Sequence, residues 1–99
     1  MRRFKWDPAQ DAANRRKHGI GFLFASRTFT DPFAIDEQDR VEGGEFRWQF
    51  IGEAADGILV VAYTWTIQHD GSEVTRIISA RPAEPRERRR YWRTRLGDD

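Results

Sequence analysis

Three paired turn signals, Gly43-Gly44, Asp56-Gly57 and Asp70-Gly71, cut the stretch from Phe33 to Arg81 into four segments with a period-two pattern. Such dipeptides supply the backbone freedom that tight hairpins need, so Phe33–Asp36, Phe46–Gly52, Ile58–Ile67 and Val74–Arg81 predict a four-stranded antiparallel meander. The run Ile58-Leu59-Val60-Val61-Ala62-Tyr63 has no charged member. That is the composition of a central strand covered on both faces. Upstream, Phe4-Lys5-Trp6 alternates and predicts a short first strand. Asp7-Pro8 then starts a helix, with Asp7 able to accept from free first-turn N–H groups and Pro8 pre-set at the first helical position. Gly19 ends it after His18. Phe22, Ala25, Ser26 and Phe29 form the stripe of a second short helix, which Asp31-Pro32 closes. Pro82 stops the last strand, and Glu84–Arg95 reads as a terminal helix. The expected fold is α+β: a short N-terminal strand, two helices, a four-stranded antiparallel sheet and a C-terminal helix, in one domain over residues 1–99.

Composition narrows the function classes. The chain has no Cys, which removes disulfides, thiolate metal sites and a catalytic thiol. Seven Phe, four Trp and two Tyr supply enough buried area to argue against disorder. No apolar run is long enough for a bilayer span, and Met1-Arg2-Arg3-Phe4 lacks the apolar stretch of a signal peptide, so a cytoplasmic location is expected. The net charge of +1 conceals a strong asymmetry. Residues 1–30 hold seven Lys/Arg against two Asp, residues 31–57 hold two Arg against eight acids, and residues 76–95 hold eight Arg against two Glu. A fold that gathers the basic ends would make a field suited to a polyanion; otherwise these runs are solvated faces.

His18 and His69 are the only imidazoles, and neither sits in a metal-binding motif. There is no nucleophile elbow and no phosphate-cradling glycine loop. What remains is cationic. Every basic residue from Arg76 to Arg95 is Arg, whose planar fork grips phosphate through two parallel hydrogen bonds. Strand parity limits convergence: without a bulge, Arg76 and Arg81 point to opposite sides of the sheet. Arg47 is opposite in parity to Phe46, Trp48 and Phe50 and so faces the less apolar side. On the terminal helix, Arg86, Arg90 and Arg93 share a face, and Glu84 and Glu87 are spaced to meet Arg88 and Tyr91. Tyr91 is either an apolar anchor or a catalytic hydroxyl. Lys17 and His18 complement the dipole at a helix end, and Arg76 suits an ion pair with Glu45 or Glu53.

Several strings together resemble one family. Phe4-x-Trp6-Asp7-Pro8, Asn14-x-x-Lys17-His18-Gly19, Phe29-x-Asp31-Pro32, Gly44-Glu45-x-Arg47-x-x-x-Ile51-Gly52, Arg76-Ile77-Ile78-Ser79-Ala80-Arg81 and Glu87-Arg88-x-x-Tyr91 look, in that order, like the BrnT toxins of type II toxin–antitoxin systems. The likeness implies a RelE-like fold and a ribonuclease toxin that inhibits translation without a metal or other cofactor. It implies a BrnA-like antitoxin that also binds operator DNA, with RNA as substrate and no membrane partner. By motif it points to Arg47, Arg76, Arg81, Tyr91, His18 and Glu87 as catalytic candidates, with Glu45 as a further carboxylate and Lys17, Arg86, Arg88 and Arg90 on the RNA. Trp65 stands where the family commonly has a basic residue, which removes one phosphate contact. Attack of an RNA 2′-OH on the adjacent phosphorus would need guanidinium charge at the phosphorane, one group to take a proton and one to give it. A binding module without catalysis, acting with the antitoxin in autoregulation, is the alternative.

Overall fold

A computed structural model describes residues 2–97; Met1, Asp98 and Asp99, the ends of the expected domain, lie outside the described residues. The chain runs β1 (Arg2–Lys5), α1 (Pro8–His18), α2 (Phe22–Ser26), a 3₁₀ turn (Arg27–Thr30), β2 (Ile35–Glu42), β3 (Glu45–Ala54), β4 (Gly57–Ile67), β5 (Glu73–Pro82) and α3 (Pro85–Arg95). The α+β expectation stands, but the sheet has five strands, not four, in the order β1-β5-β4-β3-β2. The short N-terminal strand is its fifth member, and it pairs parallel to β5, Arg2 opposite Glu73 through Lys5 opposite Arg76. β2 is also longer than expected. Its residues Asp36–Glu42 are mostly charged because this is an edge strand with much of its surface in water, so apolar alternation was absent. No helix among the described residues is long and apolar enough to cross a membrane.

The helix signals act as their chemistry requires. Asp7 accepts from the Ala9 N–H at 2.8 Å, and Gly19, at φ 73°, donates back to the Arg15 carbonyl. The second stripe divides: α2 ends at Ser26 and the chain tightens into the 3₁₀ turn before Asp31. Asp31 then accepts from the Phe33 N–H at 2.9 Å, so the turn continues into the approach to β2. Glu84 and Glu87 form a reciprocal capping box at the start of α3.

Two cores lie on opposite faces of the sheet. On one, Phe22 and Ala25 of α2 and Ile20 pack with Phe50, Leu59, Val61, Tyr63, Ile77 and Ala80. On the other, Tyr91 of α3 packs with Ile51, Ile58, Val60 and Ala83. β4 supplies both, which is why its run is apolar without interruption. Asn14 joins α1 to the edge of β5 where β1 no longer covers it. Its side-chain N–H₂ donates to the Ala80 and Ile20 carbonyls at 2.8 Å each, and its oxygen accepts from the Ala80 N–H at 3.1 Å. A buried amide thus completes the strand's hydrogen bonding. Gly52 is needed for close approach: a Cβ there would lie 3.1 Å from the Phe50 ring and 3.3 Å from Thr28 and Ala34.

Candidate functional site

A β-bulge puts the arginines of β5 on one face of the sheet, four β4 positions apart. Val61 pairs with Ala80 and Ala62 with Ser79, but Tyr63 pairs with Ile77, so Ile78 is the extra residue. The insertion reverses parity along the strand. Arg81 is opposite Val60 and Arg76 opposite Thr64, and positions 60 and 64 of β4 share a face. Arg76 and Arg81 therefore lie on the same side of the sheet, the side of α3. Arg47 joins them, being out of phase with Trp48 and Phe50 of the α2 core.

α3 covers only part of this face. It lies over Ile51, Val60 and Ile58, leaving Gln49, Ala62 and Ser79 partly exposed and, beyond them, a row in which Arg76 is partly exposed, Arg47 is mostly enclosed and Thr64 is buried. Lys5 of β1 extends the last row through its pairing with Arg76. A small recess there is lined by Lys5, Glu45, Thr64, Trp65, Thr66, Val74 and Arg76. Arg76 donates to Glu45 at 3.0 Å, one of the two partners its position suggested. Arg47 is mostly buried; its Nε has no hydrogen-bond partner, and the nearest carboxylate, on Glu42, is 3.8 Å away. A desolvated guanidinium N–H left unpaired is a standing demand for an acceptor.

At the border with α3, Arg81 makes a two-pronged contact with Glu87, at 2.7 and 2.8 Å. The Arg81 hydrogen bonds hold the Glu87 carboxyl below its ordinary value against the opposing effect of burial, and Glu87 in turn holds Arg81 charged. Arg90 pairs in the same way with Glu37 of β2, at 2.7 and 2.6 Å. Glu87 thus meets Arg81, while Arg88 donates to the Ala83 carbonyl at 3.3 Å, so the helical spacing of Glu84 and Glu87 does not set their partners.

Tyr91 has no exposed surface. Its hydroxyl donates to Asp31 at 2.6 Å and accepts from Arg95 at 3.1 Å. Burial and the Asp31 carboxylate push the phenol up to about 12. Burial would raise the Asp31 carboxyl, but hydrogen bonds from Tyr91 and from the Glu53 and Phe33 N–H groups bring it below its ordinary value. Asp31 is a junction, where the sequence by itself indicates only a helix stop. The clue was the Phe29-x-Asp31-Pro32 string, whose carboxylate has more to do than end a turn.

Lys17 and His18 sit at the end of α1, which Asn14 ties to the Ala80 end of β5, away from the row of Arg47 and Arg76. Arg86, Arg89 and Arg93 lack ion-pair partners among the described residues, on the exposed side of α3. So the structure assembles Arg47, Arg76, Arg81 and Glu87 along one face, with Arg90 at its border, and leaves Lys17, His18, Arg86 and Arg88 outside the assembly. Among the described residues no group of three His, Asp or Glu side chains is placed to hold a metal ion.

No curated protein matches the chain. The model of a family described as ribonuclease toxin, BrnT, of type II toxin-antitoxin system matches residues 6–87, from Trp6 through the Glu87 that pairs with Arg81. The chain belongs to the BrnT family of ribonuclease toxins.

Proposed function

We propose that this chain is an endoribonuclease toxin that cleaves RNA without a metal on the arginine-bearing part of the α3 face. In this reading the sheet and last helix form a RelE-like scaffold, and a BrnA-like antitoxin, which also contacts operator DNA, holds the toxin silent. The single observation that carries the reading is the bulge at Ile78, which sets Arg76 and Arg81 on one face with Arg47. A phosphate seated there would compete with Glu45 for Arg76.

The step is attack of the 2′-oxygen on the adjacent phosphorus. That P–O bond forms as the bond to the 5′-oxygen breaks, giving a cyclic phosphate and a free 5′-OH. Glu87, kept ionised by Arg81, takes the 2′-OH proton; a protonated side chain at the site returns a proton to the 5′-oxygen. The guanidinium groups meet the charge that builds on the phosphorane. Tyr91 serves as the anchor of α3, and Lys17, Arg86, Arg88 and Arg90 supply outlying contacts to the RNA backbone.

Cleavage of a labelled RNA in chelator tests this. Arg76→Ala and Arg81→Ala lower the rate about 100-fold or more; unchanged rates in both remove the face from the mechanism. A second reading, an inactive binding module that acts through its antitoxin in transcriptional autoregulation, is favoured by the fact that Arg76, Arg81 and Arg90 each already contact a carboxylate. Expression without antitoxin separates the two: growth arrests for the enzyme and continues for the module.

A further inference from the structure

The same strands carry a second uncovered surface, on the side of α2. Period two places Val41 with Phe46 across β2 and β3, and Trp65 and Ile67 follow Tyr63 along β4 on that side. These four are 55, 56, 43 and 62% exposed. Isolated exposed apolar residues are ordinary, but a contiguous set on one sheet face marks an interaction site. The core helices stop short of it, and nothing among the described residues covers it.

Beside the patch is a recess of about 260 Å³ whose walls include Trp48, Tyr63 and Trp65, with the carboxylates of Asp36 and Glu73 at its sides. It is smaller than the roughly 300 Å³ at which small-molecule sites begin, and it suits one side chain. Aromatic faces and carboxylates both favour a cation. Arg2 of this chain already lines it, with its guanidinium 4.8 Å from the Phe29 ring, yet Arg2 remains exposed. Asp36 keeps one oxygen on the Tyr63 hydroxyl at 2.5 Å.

We propose that this face docks the antitoxin through an apolar segment of that partner, lying on Phe46, Trp65 and Ile67, with a Lys or Arg entering the Trp48–Tyr63–Trp65 recess. The inference rests on the toxin reading for the existence of an antitoxin, and it places the docking surface on the opposite side of the sheet from the arginines. Charge decides the occupant. The recess calls for a cation, whereas RNA brings phosphates, which Asp36 and Glu73 repel. A second copy of the chain would bring the same acidic recess rather than its complement.

The test uses the antitoxin co-expressed with this chain and titrated against it by calorimetry, with sedimentation of the toxin alone and cleavage of a labelled RNA run in parallel. Phe46→Ser with Ile67→Ser weakens antitoxin binding about 100-fold, and Glu73→Gln weakens it about tenfold, while RNA cleavage stays at the wild-type rate. Both substitutions fall on exposed side chains, and circular dichroism verifies that the fold persists. Wild-type affinity in both variants overturns the proposal. So does a wild-type dimer that the double variant dissociates, which assigns the patch to self-association, or a parallel loss of RNA cleavage, which assigns it to RNA. Wild-type toxin that binds antitoxin through this patch but cleaves no RNA defeats the ribonuclease reading alone.

Discussion

At the scale of single residues, the partners of Tyr91 decide what it does. Its ring is enclosed by Ile51, Ile58, Val60 and Ala83, and its hydroxyl is committed to Asp31. Removing the hydroxyl deletes two charge-assisted hydrogen bonds, to Asp31 and from Arg95, and leaves the Asp31 oxygen with the Glu53 N–H at 2.8 Å. Tyr91→Phe therefore lowers stability by about 1 to 2 kcal/mol in urea unfolding and leaves the RNA cleavage rate within about twofold of wild type. A large loss of rate with unchanged stability would return the hydroxyl to the chemistry. The sequence offered both roles for this tyrosine because an apolar ring with one polar atom serves either. Its full burial supports the anchor reading, and burial is a property of the whole packing arrangement.

At the scale of elements, local chemistry was legible wherever one residue acts on its own neighbours. Asp7, Pro8 and Gly19 bound α1, Pro82 ends β5, and Gly43-Gly44 and Gly71 take the positive φ that their turns need, but the turn expected at Asp56-Gly57 falls one residue earlier, on Ala55-Asp56 with Ala55 at φ 56°, and Gly57 already pairs in β4. What sequence could not show is pairing between distant segments. β1 joins β5 in parallel across most of the chain, and the Ile78 bulge depends on how β5 registers against β4. The bulge was the condition on which the arginine face turned: regular alternation separates Arg76 from Arg81, and one inserted residue reunites them. Asn14 was visible only as part of a string, since a buried amide bonding to a strand edge leaves no periodic trace. Asn14→Ala strands the Ala80 N–H and carbonyl in a buried setting and costs about 2 to 4 kcal/mol, read from the shift of the urea midpoint at constant slope. A shift near zero would mean that α1 needs no tie to β5.

At the scale of the whole molecule, charge and stability are linked through paired carboxylates. Arg90 holds Glu37 below its ordinary value, Arg81 does the same for Glu87, and hydrogen bonds lower Asp31 in spite of burial. For groups with depressed folded values, the native state is favoured fully above the ordinary carboxylate range and loses that advantage as pH falls through the folded values. Melting temperature accordingly drops on acidification from about pH 4.5 toward 3, and Glu87→Gln flattens part of that fall; equal melting temperatures at both ends would show that these contacts contribute nothing. The parallel pairing of β1 with β5 has a temporal consequence. The first strand leaves the ribosome some seventy residues before its neighbour, because Arg2 waits for Glu73 and Lys5 for Arg76. Only when β5 has emerged can Arg76 and Arg81 take their places opposite Thr64 and Val60, so the arginine face is completed late in synthesis, after the strands that carry it.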